Sequence, residues 1–482
     1  MTYRWPLKAQ FVGRTTELAR LETWWKSSDL QPIALIGRRR VGKSWLFRRF
    51  ADGKPATILV AEQLPPGTQL SRFAEDLEGL LGVKPDLRDV PTLFRVLFRA
   101  ARTKKLLIVV DEFPSLLGTD AEARQVLSGI QAVMEDERET SKLKLVLCGS
   151  NVSVMETLFS EGSPMHGRLQ NFEIRPLQFG GAKLHLPSLG PIQSFERFAV
   201  AGGMPLYLSR LGTGSLDKIV CQEILTPGSP LWNEGRAIID QELREPRMYF
   251  GILEQLARGE KEIEEIATPL RTTSKLLSPY LTKLGELRII GRSLPFGASE
   301  TGRGGHWRIN DNFLRFWFRF VFPYQAQLES GLRPADLYDA EIRPALAEHV
   351  APAFEYWSQE WLRAHYGASA TRIGRWWGNS ANEYRKSGER QSEEVDAVGT
   401  AHGSVSLVSE SKWTAKQLDR GIVRDLDTFK IPALRESGFR FSPDLKIVLF
   451  SKSGYTKNLV DLAASEERLV LVDVGSTLSS LV

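Results

Sequence analysis

Ile33-Ala34-Leu35-Ile36 followed by Gly37-Arg38-Arg39-Arg40-Val41-Gly42-Lys43-Ser44 is the stretch that decides the fold. The first four residues are apolar and read as a buried strand. The next eight fit G-x-x-x-x-G-K-[ST] in full. Its two glycines let the backbone curl so that successive N–H groups converge on a phosphate, a curl that side chains oppose sterically. Lys43 is placed to reach the β- and γ-phosphates, and the Ser44 hydroxyl to ligate Mg²⁺. A helix opening at Lys43 turns its positive end to the same anion. Strand, glycine loop and helix in this order imply an ATP site in which Gly37, Arg38, Arg39, Arg40, Val41, Gly42, Lys43 and Ser44 surround the phosphates. A basic surface turn is the competing reading, and the strand ahead of the loop disfavours it.

At 482 residues the chain exceeds one core and is expected to form about three units. With 42% hydrophobic and 25% charged residues it has the composition of an ordinary globular protein. A net charge of +5 is compatible with a nucleic-acid partner without requiring one. Cys148 and Cys221 stand alone, so no disulfide framework is expected and a reducing compartment fits. Met1 to Gln10 lacks the apolar core of a signal peptide. Phe313 to Tyr324 is interrupted by Arg315 and Arg319 and is too short to span a bilayer. The expectation is a soluble cytoplasmic protein with no membrane partner.

Outward from the loop, Thr57–Ala61, Lys105–Val110 and Lys144–Ser150 read as further strands. Alternating with helices from residue 30 to about 175, they predict a doubly wound, mostly parallel α/β sheet. Asp111 and Glu112 follow an apolar strand, at the edge where such sheets bind ligands. An Asp there holds Mg²⁺, and Glu112 can polarise the water that attacks the γ-phosphate. Ser150, or Asn151, ends the next apolar strand and is placed to sense the γ-phosphate. Arg168, after Gly167, can supply a charge-stabilising guanidinium. For these last residues an ordinary loop role is the alternative.

Past Pro176 the pattern is helical, broken sharply at Gly202-Gly203-Met204-Pro205. Helices are predicted at 249–258, 260–268 and 272–286, with Pro279 kinking the third or delaying its start. Strands at Arg288–Arg292 and His306–Ile309, around a turn with Gly302, Gly304 and Gly305, complete the outline of a winged helix. Lys275, Lys283, Arg288, Arg303 and Arg308 are candidate phosphate contacts for DNA. Against this, Glu260, Glu262, Glu264 and Glu265 make the second helix acidic, so that face must look elsewhere. Duplex contact and an internal hinge both stand.

Phe11-Val12-Gly13-Arg14, the loop at 37–44, Asp111-Glu112, Gly149-Ser150, Gly167-Arg168 and Gly202-Gly203-Met204-Pro205, in that order, resemble an archaeal/bacterial ATPase family within the STAND-like branch of AAA-related P-loop NTPases. The resemblance implies that Gly13 and Arg14 sit by the nucleotide base, and that Pro205 belongs to a helical lid near it. Thr15 departs from the pattern, because an acidic residue commonly follows Gly-Arg.

Glu394–Gly399 and Val405–Lys412 read as two strands joined by a turn at Ala401-His402-Gly403. If the hairpin is symmetric about Gly403, Asp396 lies opposite Glu410, and directly opposed residues have Cβ atoms about 5 Å apart. The period of two adds Lys412 to that face. Two carboxylates and an ammonium there suit a divalent cation and an activated water; a solvated Asp–Lys pair is the alternative. Phe354-Glu355, Gly374-Arg375-Trp376-Trp377-Gly378, Asp396 and Glu410-Ser411-Lys412, with Asp311 to Pro323 upstream, resemble the DUF234 domain, which looks similar to PD-(D/E)XK nucleases. That resemblance implies Mg²⁺ on Asp396 and Glu410, assistance from Glu355, and Lys412 as the group that orients the water or stabilises charge.

The expected organisation is a P-loop ATPase core at 1–175, a helical lid at 176–245, a winged helix at 246–312, a linker at 313–344 and an α/β restriction-endonuclease-like domain at 345–482. ATP, Mg²⁺ and a nucleic acid, DNA ahead of RNA, are the expected partners, with a homo-oligomer possible in principle. Three functions follow: an ATP-controlled nuclease, a nucleotide-controlled assembly switch, and a DNA-binding regulator.

Overall fold

The computed structural model describes residues 11–243, 246–299, 304–388 and 390–480. Gly302 and Arg303, expected near the winged-helix ribbon, lie outside these residues, as do Met1 to Gln10. The chain divides into two compact units. The first comprises Met1–His185 together with Met204–Leu206; the second comprises Leu186–Gly203 and Tyr207–Val482.

The first unit holds five strands: β1 (Ile33–Ile36), β2 (Ala56–Val60), β3 (Leu106–Asp111), β4 (Leu143–Gly149) and β5 (Gln170–Glu173). All pair in parallel, in the order β2-β3-β4-β1-β5. β1, β3 and β4 are buried at every residue, which is why they read as continuous apolar runs. β5 is short and polar (Gln-Asn-Phe-Glu), so no periodicity announced it. Because β4 lies between β1 and β3, the end of β4 separates the loop after β1 from the acids ending β3. That places Ser150 between Gly37 and Asp111 in the sheet order. A Cβ on Gly37 would meet the Ile174 carbonyl oxygen at 2.5 Å, so only glycine fits beside the chain leaving β5.

In the second unit the helices Arg247–Ala257, Ile263–Ala267 and Ser274–Glu286 precede an antiparallel ribbon of β6 (Ile290–Ser293) and β7 (His306–Ile309). The third helix opens at Ser274, capped by Thr273, and keeps Pro279 inside it. As the sixth residue of this helix, Pro279 denies the Lys275 carbonyl its i+4 donor. A mixed sheet follows: β8 (Arg372–Asn379), β9 (Ser392–Ala401), β10 (Ser404–Lys412), β11 (Arg440–Ser451) and β12 (Leu469–Asp473), ordered β12-β11-β10-β9-β8. β8, β9 and β10 are antiparallel, whereas β10, β11 and β12 run parallel. The helix Arg343–Tyr366 packs on β8 and β10.

The β9–β10 hairpin departs from symmetry about Gly403. His402 and Gly403 both take positive φ, 51° and 78°, the signature of a two-residue primed turn. Next to it Ser404 faces Ala401 and Val405 faces Thr400, a register that would set Asp396 against Ser409. A bulge at Ser406 then shifts the pairing to Leu407–Gly399 and Ser409–Ala397. Continued one residue, the shifted register places Asp396 opposite Glu410. The bulge, rather than the turn, therefore brings the two acids onto one face. A second irregularity sets Asp396 and Ala397 of β9 against Arg375 alone on β8.

Among the described residues no helix is long and apolar enough to cross a membrane.

Candidate functional site

Around the phosphate loop, Arg40 and Gly42 take positive φ, 66° and 98°. The Lys43 ammonium donates to the Gly37 and Arg38 carbonyls at 2.6 and 3.1 Å. Burial lowers its pKa, while Cys148, Glu112 and Asp111 work in the opposite direction. The Ser44 hydroxyl donates to Asp111 Oδ2 at 3.3 Å, so the two expected Mg²⁺ ligands stand side by side. Burial raises the Asp111 pKa, opposed by the thiol of Cys148. A buried acid beside a hydroxyl and a buried ammonium on a glycine loop fit a Mg²⁺–nucleotide group.

Glu112 takes φ 52° and accepts on Oε2 from the Ser150 N–H and hydroxyl, at 3.3 and 2.8 Å. Asn151 is engaged differently: its side chain caps the helix Val152–Thr157 by accepting from Val154 N. Gly13 and Arg14 both take positive φ, and Arg14 turns back to the loop. Its guanidinium donates to the Val41 carbonyl at 2.9 Å and to Glu17 at 2.7 Å, so an acid three residues on partners the arginine that Thr15 leaves unpaired. Pro205 packs over the loop, its Cγ 3.7 Å from where a Gly42 Cβ would stand. Arg168 pairs with Glu135 of the helix Asp120–Glu137 at 2.6 Å and donates to the His166 carbonyl at 3.4 Å.

In the second unit Asp396, Glu410 and Lys412 converge. Lys412 Nζ donates to Asp396 Oδ2 at 3.2 Å and to Glu410 Oε2 at 2.6 Å, and the Ser411 N–H donates to Asp396 Oδ2 at 2.8 Å. Burial opposes the Lys412 charge, yet Asp396 and Glu410 hold its pKa above the usual lysine range. Glu410 is 1% exposed at its side chain, and burial raises its pKa against the two lysines.

Three groups at this site were not foreseen. Lys430, at the end of the π-helical turn Leu426–Lys430, donates to Glu410 Oε1 at 2.6 Å. Gln359 donates to the Asp396 carbonyl at 2.8 Å. Glu394 joins Glu355 and Asp396 in a cluster whose carboxylate oxygens lie within 4.8 Å of one another. Glu394 precedes Asp396 by two positions on β9, so the strand period could have found it. No spacing rule points to Lys430, which arrives from the helical segment between β10 and β11. Glu355 accepts no hydrogen bond among the described residues; burial, then the charge of Asp396, pushes its pKa up to about 8. The donor set, all carboxylate oxygen, suits a hard divalent cation. Its members differ from the expected ones: Glu394 faces Glu355 and Asp396, whereas Glu410 is held by two lysines.

The β6–β7 ribbon and its connecting segment engage β8. Phe296 N donates to the Arg375 carbonyl at 2.8 Å, and the His306 and Trp377 rings stack with centroids 4.6 Å apart. The helix Ser274–Glu286 presents Lys275 and Leu276 to solvent, Leu276 at 64% exposure.

Comparison with known proteins finds one family match in each of the two units. Residues 27–158 match the AAA domain family model AAA_22, and residues 317–422 match DUF234, described as archaea bacterial proteins of unknown function. The chain is 29% identical over 426 residues to the uncharacterized protein MJECL04 of Methanocaldococcus jannaschii, covering 86% of this chain and 91% of that one. Among solved structures it is similar to the Walker-type ATPase PABY2304 of Pyrococcus abyssi, at a TM-score of 0.49 and 18% identity over 66% of this chain and 97% of that one. The ORC2 protein of Aeropyrum pernix gives a TM-score of 0.43 at 12% identity over 68% and 97%.

Proposed function

We propose that this chain, an AAA-type P-loop ATPase followed by a DUF234 region, uses its nucleotide state to govern a Mg²⁺-dependent nuclease site acting on nucleic acid, DNA ahead of RNA. The observation that carries the reading is the meeting of Asp396, Glu410 and Lys412, with Glu355 and Glu394 beside them. In the ATPase unit Lys43 would neutralise phosphate charge, Ser44 and Asp111 would hold the metal, and Glu112 would orient the attacking water. In the second unit a bound Mg²⁺ would act as a Lewis acid and lower the pKa of its water. Asp396, Glu394 and Glu355 would hold it, while Lys412, kept in place by Glu410, would stabilise charge developing on the phosphate. Two free cysteines fit a cytoplasmic setting.

The test is a cleavage assay with the full chain on single- and double-stranded DNA and RNA, with and without ATP. Wild type should cut at least one substrate in Mg²⁺; Glu410→Ala should abolish cutting, and Lys43→Ala should remove its dependence on ATP. Equal cleavage by Glu410→Ala overturns the proposal.

One observation favours a second reading: both Glu410 oxygens are in ion pairs at 2.6 Å, with Lys412 and Lys430. A domain so neutralised suits a STAND-type signalling switch in which nucleotide state controls assembly, including homo-oligomers, and the C-terminal region only binds. It predicts nucleotide-dependent changes of size and no cleavage. A third reading, a DNA-binding regulator, draws on the exposed face of Ser274–Glu286 and predicts duplex binding that weakens steeply with salt.

A further inference from the structure

Glu260 belongs to the segment whose acidity argued against phosphate contact, and it is turned inward. Its side chain is 16% exposed. Oε2 accepts from Arg375 Nη1 and Oε1 from the Tyr356 hydroxyl, each at 2.9 Å. The backbone of the next residue, Lys261, pairs both ways with Trp307 on β7, at 3.0 and 2.7 Å. Arg308, also on β7, lies 3.7 Å over the Tyr356 ring. The ribbon therefore holds Glu260 in place from one side and Tyr356 from the other.

Arg375 spans two carboxylates. While Nη1 serves Glu260, Nε donates to Glu394 Oε1. A guanidinium is a rigid planar fork whose Nε and Nη2 readily take both oxygens of a single carboxylate, as in Arg333 on Asp336. Pinned by Glu260 through Nη1, Arg375 is held in an orientation that meets Glu394 through Nε, which leaves Glu394 a free oxygen toward Glu355 and Asp396. Glu355 points to the same place on its own, since its carboxylate lies against Glu394 and Asp396 and accepts no hydrogen bond among the described residues. Three carboxylates brought this close repel one another when charged, and a divalent ion offsets that repulsion.

We infer that Glu260 is a positioning residue of this cluster: by holding one arm of Arg375 it keeps Glu394 open to a divalent cation, and so ties the winged-helix segment to the cation site. The inference rests on the reading of Glu355, Glu394 and Asp396 as a cation site. Without Glu260 the guanidinium turns its fork onto Glu394 and closes that oxygen.

Mn²⁺ titration of the full chain without nucleotide, followed by electron paramagnetic resonance, tests it. Wild type should bind Mn²⁺ in a manner that Asp396→Ala abolishes. Glu260→Ala should weaken this binding tenfold or more, the scale on which groups that orient metal ligands act, roughly 10- to 100-fold. Glu260→Gln should stay within about twofold, because its carbonyl still accepts from Arg375 and its amide can donate to Tyr356. Glu260→Gln also keeps the test open should Glu260→Ala unfold, which circular dichroism would reveal. Equal weakening by Gln and Ala would mean that only charge matters and overturns the inference, as would wild-type affinity in Glu260→Ala. If wild type shows no Mn²⁺ binding sensitive to Asp396→Ala, the cation reading itself falls, and this inference with it.

Discussion

Ser150 donates both its N–H and its hydroxyl to one oxygen of Glu112, at 3.3 and 2.8 Å. The residue expected to read the γ-phosphate thus tethers the group expected to orient the attacking water. Ser150→Ala removes the shorter bond, worth about 1 kcal/mol, and frees the carboxylate to turn toward water. Basal ATP hydrolysis should rise roughly fivefold by phosphate release, whereas Glu112→Gln should abolish it. A fall in rate with Ser150→Ala would show that the serine acts on the nucleotide instead.

Arg14 stitches the loop from beneath through the Val41 carbonyl. Charged hydrogen bonds of this kind contribute about 1.5–3 kcal/mol. Arg14→Ala should therefore weaken binding of a fluorescent ATP analogue by roughly tenfold or more. Glu17→Ala, which removes only the outer partner, should cost less. Equal losses in the two variants would place the effect in the ion pair and not in the loop.

Deleting Ser406 removes the extra residue of the bulge but leaves Leu407 opposite Gly399 and Asp396 opposite Glu410. Mn²⁺ binding sensitive to Asp396 should survive this deletion, whereas deleting Val408, which sets Asp396 against Ser411, should abolish it. ATP hydrolysis by the first unit should persist in both. Loss of Mn²⁺ affinity on deleting Ser406 would show that the bulge itself shapes the site.

Glu355 carries a pH signature. Its folded pKa of about 8 exceeds the ordinary value of 4.5, so between them the folded chain holds a proton that the unfolded chain has lost. Stability contributed by this site should fall as pH rises through that window, with the full penalty present above about 8. A cation must displace the proton, so Mn²⁺ affinity should climb over the same range. Glu355→Gln should flatten the stability trend in EDTA, measured by thermal unfolding; parallel curves for the two proteins would refute the assignment.

Much of this was legible in the chain because it rests on short-range rules. The loop at 37–44 is a local motif, and the strand ends at Asp111 and Ser150 follow buried apolar runs. The hairpin acids were found by a symmetry argument that reached the right pair while missing Ser406, since a bulge has no fixed sequence mark. Lys430 meets Glu410, and Glu260 meets Arg375, from elements distant in sequence, through tertiary packing that no periodicity encodes. Arg168 shows the converse: a plausible spacing placed it at the nucleotide, and the fold gives it Glu135.

Met204–Leu206 belong to the first unit although the chain on either side belongs to the second. No single cut in this polypeptide can therefore release both units whole. Recombination that exchanged residues 1–185 as a block would deliver a nucleotide loop without the proline that packs on Gly42, and the recipient would have to supply one. Inheritance of the ATPase is thereby bound to inheritance of its neighbour, a linkage written in the order of the chain.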